Sequence, residues 1–257
     1  TPREFIIVHQ GLPSSMYDAS CDGTWVLMKD CYENRQWNSA LSNNYANSTI
    51  HSYLNDTFLN LVDINIRTQI KQAKIPHSYG SNVNSGANGL STKIFLLSNR
   101  EIGCGGDTTG STYERYMPAD GAKLSYFETG AWNDTSAANK RICYFNGSVT
   151  NWWTRSPNFS GKYEVWSVGS NGIVAGSGAG AYCNKTSSIR PAFILPASLF
   201  VSGDGSVKLN TAPTTPSSIS VPGSINGGST ITVSWGSGSD SEGNLSGYAV
   251  ERSTNGG

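Results

Sequence analysis

WWTRSP at Trp152–Pro157, VWSVGSNG at Val165–Gly172 and SIRPAFILP at Ser188–Pro196 are the stretches on which the reading of this chain turns. Each is rich in aromatic or β-branched residues and is followed by Gly, Ser, Asn or Pro, the pattern of strands punctuated by turns. In order they predict three strands, the first two able to pair as a hairpin. Arg155 and Arg190 lie inside two of them, in apolar or turn surroundings where an unpaired charge is costly. Both are therefore assigned to the structural core, bonded to carbonyls or to a carboxylate such as Glu101; anion binding is the alternative. Trp152 and Trp153 are consecutive, so an extended chain turns them to opposite faces. Both are assigned to the core, with at most one left over for a ligand.

Working back toward the start, Glu4–Gln10 (EFIIVHQ) and Thr24–Lys29 (TWVLMK) predict two opening strands. From Asn47 to Val62 the apolar residues Ile50, Tyr53, Leu54, Phe58 and Leu61 form the stripe of an amphipathic helix, capped by Asn47 or Ser48. A second helix is expected behind Asp63, carrying Ile66, Ile70 and Ala73 inward until Pro76 ends it. Lys93–Leu97 (KIFLL) predicts a buried strand, and Gly103–Asp134 a loop region too long to be a bare connector.

Toward the end the composition changes near Asn210. TAPTTPSS at 211–218 reads as a Pro/Thr/Ser linker. Beyond it, STITVSW places Ile231, Val233 and Trp235 on one face of a strand, and Tyr248 and Val250 repeat the alternation. The Pro-rich entry, Trp235 in a second strand and Tyr248 in a third resemble a fibronectin type III domain over residues 213–257. A sandwich of that kind needs about 100 residues, so the resemblance implies a truncated domain serving as a spacer, in a protein that continues. Likewise, a start at Thr1 suggests a processed or cut chain.

The WVLM strand, Trp37, the IHSYLN helix, IFLLS at Ile94–Ser98, WWTRSP, VGSNG and IRPAF, taken as an ordered set over residues 4–196, resemble a bacterial and phage domain family of uncharacterised function. That family occurs in surface-exposed and prophage-encoded proteins of Gram-positive bacteria. The ending, with its Trp-rich strand, Gly turn and closing Arg-Pro strand, also resembles C-type lectin-like folds of the formylglycine-generating-enzyme and phage tropism-determinant kind. The resemblance implies an α+β fold class, a C-type lectin-like domain with two helices packed on a small, mainly antiparallel sheet, followed by a partial all-β fibronectin type III sandwich. The corresponding domains are 1–210, the linker 211–218, and 219–257. A copper-dependent oxidase of the formylglycine type needs closely spaced reactive cysteines; Cys143 and Cys183 lie far apart in this sequence.

Composition narrows the function classes. The 257 residues carry 18 basic and 18 acidic side chains, so no long-range field gathers nucleic acid or an anionic membrane. No apolar run approaches the roughly 18 residues of a membrane span. The five cysteines, Cys21, Cys31, Cys104, Cys143 and Cys183, form no CxxC pair and no Cys/His cluster for zinc. Either most are reduced and buried, or one or two bridges form, with Cys21–Cys31 and Cys143–Cys183 the first pairs to test. Sequons such as those at Asn47, Asn55 and Asn146 follow from a composition rich in Asn, Ser and Thr. His9, His51 and His77 are scattered, no metalloprotease, nucleophile-elbow or phosphate-loop string occurs, and GSGAGA at Gly176–Ala181 lacks the spacing of a dinucleotide loop. Asp240, Glu242 and Asn244 alternate like calcium ligands but lack the rest of an EF-hand and read as a turn. No metal and no cofactor is expected. Asp120, Glu128 and Asp134 are the loop carboxylates that a glycosidase would draw on.

Aromatic residues dispersed among Gly, Ser, Asn and Thr remain, namely Tyr113, Tyr116, Tyr126, Trp132, Tyr163, Trp166 and Tyr182. Flat rings beside adaptable hydrogen-bonding groups suit glycan or protein surfaces. Tyr113, Tyr116, Trp132, Tyr163, Trp166 and Tyr182 are the expected ligand-binding residues. The expectation is a non-catalytic recognition or structural module of a phage virion or a Gram-positive cell-surface protein. Its partners would be a host cell-surface glycan or protein and other virion proteins, with oligomers allowed and with neither nucleic acid nor membrane insertion. It would sit on the virion surface or outside the cell. The alternative is a cell-wall or glycan hydrolase domain.

Overall fold

The computed structural model describes residues 3–105, 114–130, 133–159, 161–175, 181–201, 207–209, 213–221, 230, 232–240 and 247–248. The chain divides into two compact units, Thr1–Ala197 and Ser198–Gly257. In the first unit the strands are β1 (Phe5–Gln10), β2 (Thr24–Met28), β3 (Asn34–Gln36), β4 (Ala73–Ile75), β5 (His77–Tyr79), β6 (Asn82–Asn84), β7 (Leu90–Thr92) and β8 (Ile94–Phe95). They continue as β9 (Cys143–Phe145), β10 (Ser148–Thr150), β11 (Trp152–Pro157), β12 (Glu164–Val168), β13 (Val174–Ala175), β14 (Ala181–Tyr182), β15 (Thr186–Ser188) and β16 (Ala192–Leu195).

Two sheets organise the unit. The first is antiparallel in the order β1-β2-β16-β8, and the second is mixed in the order β13-β12-β11-β15-β3, with β14 also on β12. The strands β11 and β12 pair antiparallel, Trp152 opposite Val168, as the hairpin reading expects. SIRPAFILP differs from a single strand: its start forms β15 beside β11, and its end forms β16 between β2 and β8. Pro191, which can donate no ladder bond, stands at the break between them.

Helix is scarce, and the expected two helices on a lectin-like sheet do not describe this fold, which is mainly β in small antiparallel and mixed sheets. One helical stretch spans 49–61, as Thr49–Tyr53 (α), Leu54–Phe58 (π) and Leu59–Leu61 (α). Ser48 caps it, its hydroxyl accepting from the His51 amide at 3.2 Å; of the predicted stripe Ile50, Leu54 and Phe58 are buried and Tyr53 half-buried, while Leu61 in the last turn is exposed. The π turn has a local cause. Asn55 donates from Nδ2 to the His51 carbonyl (3.0 Å) and the Ile94 carbonyl (2.9 Å), and its Oδ1 accepts from the Lys93 and Ile94 amides. The side chain thus satisfies a helix carbonyl while binding the helix to β8. The second helix shrinks to Ile64–Arg67. Ala73, expected on its inner face, instead opens β4, which pairs with β7 from Ala73↔Thr92 to Ile75↔Leu90. Long-range pairing overrides the local helical spacing there.

A single core lies between these elements. It contains Trp25, Trp37, Trp152, Trp153 and Trp166, all at most 1 % exposed. Both Trp152 and Trp153 are therefore buried, and neither is left over for a ligand: β11 has β12 and β15 on its flanks, and all six of its residues are buried. Their indole N–H groups donate to the Arg141 and Arg35 carbonyls, each at 2.8 Å. The turn after β12 closes on Gly172 at φ 76°, where a Cβ would collide with the Ala138 carbonyl. The bridge is Cys31–Cys143, while Cys21, Cys104 and Cys183 are buried thiols outside it. Neither expected pair forms, because Cys31 donates its amide to the Tyr144 carbonyl (2.8 Å) and is thereby set beside β9.

Among its described residues the second unit contains two short ribbons, Leu199–Val201 with Val207–Leu209, and Ile219–Ser220 with Ser234–Trp235. The strand read from STITVSW is thus confined to Ser234–Trp235 among the described residues, and the Trp235 ring meets Tyr248 edge-on at 5.7 Å.

Candidate functional site

Two layers of polar structure surround β11. The inner one begins with Arg155, fully buried in the WWTRSP strand. Its guanidinium makes a two-pronged pair with Glu101, Nη1 to Oε2 at 2.5 Å and Nη2 to Oε1 at 2.6 Å. The remaining N–H groups donate to the carbonyls of Pro76 (3.0 Å), Leu96 (2.9 Å) and Asp120 (2.9 Å). Glu101 also accepts from the Tyr17 hydroxyl (2.8 Å) and the Ser98 amide (2.9 Å). Ser156 Oγ donates to the Asp120 carboxylate at 3.0–3.1 Å and accepts from the Asn99 amide. The Glu101 partner suggested by the sequence is thus the one Arg155 takes.

This network has two groups displaced from their usual titration range. Burial pushes Asp120 up to about 6, against the opposing pull of Arg155 and the Ser156 hydrogen bond. Burial pushes His77 down to about 4, assisted by Arg155 and His51. The signs oppose. A raised Asp120 stabilises the fold below about pH 3.8, and this is lost as pH rises through 6. A lowered His77 stabilises it above about pH 6.5, and this is lost as pH falls toward 4. Each contribution is about 3 kcal/mol, so between pH 4 and 7 they largely cancel. The Asp120→Asn variant is expected to expose the His77 half alone: denaturant titrations should show it losing about 3 kcal/mol from pH 7 to pH 4. An equally flat profile in both proteins would refute this assignment.

Nothing in the inner layer faces solvent, so it holds the scaffold and cannot meet a ligand. Asp120 is removed by this burial from the candidate glycosidase carboxylates. Glu128 pairs with Lys140 at 2.5 Å, and Asp134 accepts from the Ser136 amide and hydroxyl at 2.8 and 2.7 Å. The Cys21 thiol is pushed up to about 12 by burial and is no thiolate at neutral pH. Among the described residues no three His, Cys, Asp or Glu side chains are placed to hold a metal ion.

The outer layer lies where β11 turns into β12. Asn43, 2 % exposed, reaches this turn with its amide nitrogen, donating to the carbonyls of Asn158 (3.3 Å), Gly161 (2.9 Å) and Glu164 (3.1 Å). The Asn158 amide donates to the Glu164 carbonyl at 2.9 Å, and its side chain donates to Glu164 Oε2 at 3.1 Å. On this frame Tyr163 is 42 % exposed. The neighbouring strand β14 pairs Tyr182 with Glu164, and Tyr182 is 51 % exposed. The Cys183 amide donates to the Tyr163 carbonyl (2.8 Å), and on the other flank the Phe159 amide donates to the Tyr116 carbonyl (3.1 Å). Tyr116 is half-buried, with the Arg115 guanidinium 4.7 Å from its ring centre.

Three of the six expected ligand residues, Tyr116, Tyr163 and Tyr182, therefore border one turn. Trp166 does not join them: it is a fully buried member of β12, a strand whose residues are all buried beyond Glu164, and lies in the core rather than in a loop. Tyr113 and Trp132 lie outside the described residues. Tyr126 packs against the core edge-on to Phe127. Asn43, Asn158 and Glu164 escaped the sequence reading; the only signal was the polar SPNFSGKYE turn between two strands, which says nothing of Asn43. Replacing Asn43 by Ala removes all three of these hydrogen bonds at once. The expected cost is roughly 1–3 kcal/mol, read as a lower urea midpoint with an unchanged slope.

Comparison with known proteins gives one match: a family model described as a domain of unknown function, DUF6273, covers residues 22–197. No curated protein and no solved structure matches the chain.

Proposed function

We propose that this chain, which belongs to the DUF6273 family, is a recognition module without catalytic activity, carried by an exposed protein of a phage virion or a Gram-positive cell surface. The observation that carries the reading is the turn between β11 and β12, where Tyr163 and Tyr182 stand open to solvent on a frame fixed by the buried Asn43. Rings that are exposed yet rigidly supported offer apolar contact at low entropic cost. The half-buried Glu164 carboxylate beside them, oriented by the Asn158 amide, supplies a directional acceptor. That combination suits a sugar ring, with an apolar face and hydroxyl edges, on a host surface glycan. The Cys31–Cys143 bridge supports an oxidising, extracellular setting. In the second unit, the Pro-rich entry and the Trp235–Tyr248 contact support the fibronectin-like spacer reading.

The test is a Tyr163→Ala/Tyr182→Ala double variant assayed on a glycan array and on host cells. Folding should be nearly unchanged, because both rings are exposed, while binding weakens by about 2 kcal/mol or more. Binding per folded molecule equal to that of the parent would remove this face from consideration. Turnover of cell-wall or glycan polymer, abolished by Glu164→Gln, would replace the reading with the hydrolase one.

A further inference from the structure

A second cleft lies on a different part of the first unit, beside the disulfide. It has a volume of about 420 Å3, and its lining includes Arg3, Asp30, Tyr144, Phe145 and Asn146. Cys31 forms part of the wall, and its bond to Cys143 anchors the β9–β10 hairpin that supplies the aromatic side. That hairpin is stiff at its tip as well. Asn146 and Gly147 have φ of 51° and 79°, the two successive positive values of a type I′ turn, and Tyr144 pairs with Val149 across it. Tyr144 is 47 % exposed, so a large ring is held open to solvent by a bridged, tightly turned ribbon.

The charges at the cleft are arranged unusually. The β1–β2 ladder runs outward from Phe5↔Met28, and the next step brings Glu4 and Lys29 together as an ion pair at 2.7 Å. Arg3 and Asp30, the next residue along on each side, carry opposite charges and both line the cleft. They do not pair. The Arg3 guanidinium lies over the Tyr32 ring, 5.6 Å from its centre, and the Asp30 carboxylate has no hydrogen-bond or ion-pair partner among the described residues. A cation and an anion thus line one small cleft without neutralising each other, and an exposed tyrosine ring stands beside them.

We propose that this cleft binds a small zwitterion that joins an ammonium to a phosphate or carboxylate. The ammonium is received by Asp30 and by the face of Tyr144, where carboxylate charge and ring quadrupole act together. The anionic end is received by Arg3, which lies over Tyr32, with Asn146 in the lining to add a donor. A lone cation or lone anion would leave one of the protein charges without a partner, so the cleft selects for both charges on one molecule. This site is independent of the Tyr163/Tyr182 face, and neither proposal depends on the other.

Calorimetric titration of the full chain with phosphocholine and with glycine betaine tests the idea, with choline alone and inorganic phosphate alone as the half-ligands. At least one zwitterion should bind, and roughly ten-fold more tightly than either half. Tyr144→Ala and Asp30→Asn should each weaken it by a similar factor without lowering the melting temperature, since both side chains are exposed. The Tyr163→Ala/Tyr182→Ala variant should bind it normally. Absence of binding by both zwitterions, binding of phosphate or choline equal to the zwitterion, or full affinity in Asp30→Asn would each overturn the proposal.

Discussion

Replacing Arg155 by Met is expected to remove most of the stability of the first unit. The substitution fills much of the same volume, so packing is not the main loss. What it leaves behind is the buried Glu101 carboxylate, with only Tyr17 and the Ser98 amide still bonded to it, and three carbonyls that had shared the guanidinium. Breaking a buried pair by deleting one partner costs about 3–5 kcal/mol, because the survivor is an uncompensated charge. Against a total of about 5–15 kcal/mol for a domain, that can leave the chain largely unfolded at 37 °C. Urea titration of Arg155→Met beside the double variant Arg155→Met/Glu101→Gln separates the causes. The double variant should recover part of the loss, since the stranded charge is gone. A single variant within about 1 kcal/mol of the parent would show that the pair is not the keystone of the inner network.

The second large effect concerns the covalent link. Cys31 and Cys143 close a loop spanning 112 residues. In the chain-entropy account a loop of that size contributes about 4–5 kcal/mol by restricting the unfolded ensemble. Cys143→Ser, or mild reduction of the native protein, is expected to lower stability by roughly 2–5 kcal/mol and to loosen the β9–β10 hairpin. Thiol counting checks the pairing directly: the denatured protein should show three thiols before reduction and five after it. Five thiols before reduction in protein from an oxidising compartment would contradict the bridge.

How much of this was legible in the sequence depends on the range of the interaction. Strands β1, β2, β11 and β12 were readable because each carries a short run of apolar or aromatic residues, a property of a few adjacent positions. The cap at Ser48 and the stripe of Ile50, Leu54 and Phe58 were readable for the same reason. The partner of Arg155 was anticipated because a buried guanidinium leaves few options. By contrast, AKI and LST carry no strand pattern of their own, and β4 and β7 exist because they find each other. Trp166 looked like a loop aromatic because GKYE before it and GSNG after it read as loop, whereas the strand between them is entirely internal beyond its first residue. The pairing of Cys31 with Cys143 follows from the approach of β9 to the residue after β2, and cysteine spacing does not encode that. Of the outer site, the tyrosines could be named from composition, but the residue that fixes their turn, Asn43, sits far upstream as one Asn among many.

The placement of β16 has a consequence for synthesis. Ala192–Leu195 is the last strand of the first unit, yet it occupies the middle of its sheet, with Leu27 on one side of Ala192 and Phe95 on the other. While the ribosome is still making the chain, β1 and β2 can meet, but β2 and β8 face an empty lane with unpaired amides and carbonyls. Contacts of such long sequence separation form slowly. The unit can therefore close only after residue 195 has cleared the exit tunnel, and a nascent chain stalled before that point presents sticky strand edges to its neighbours.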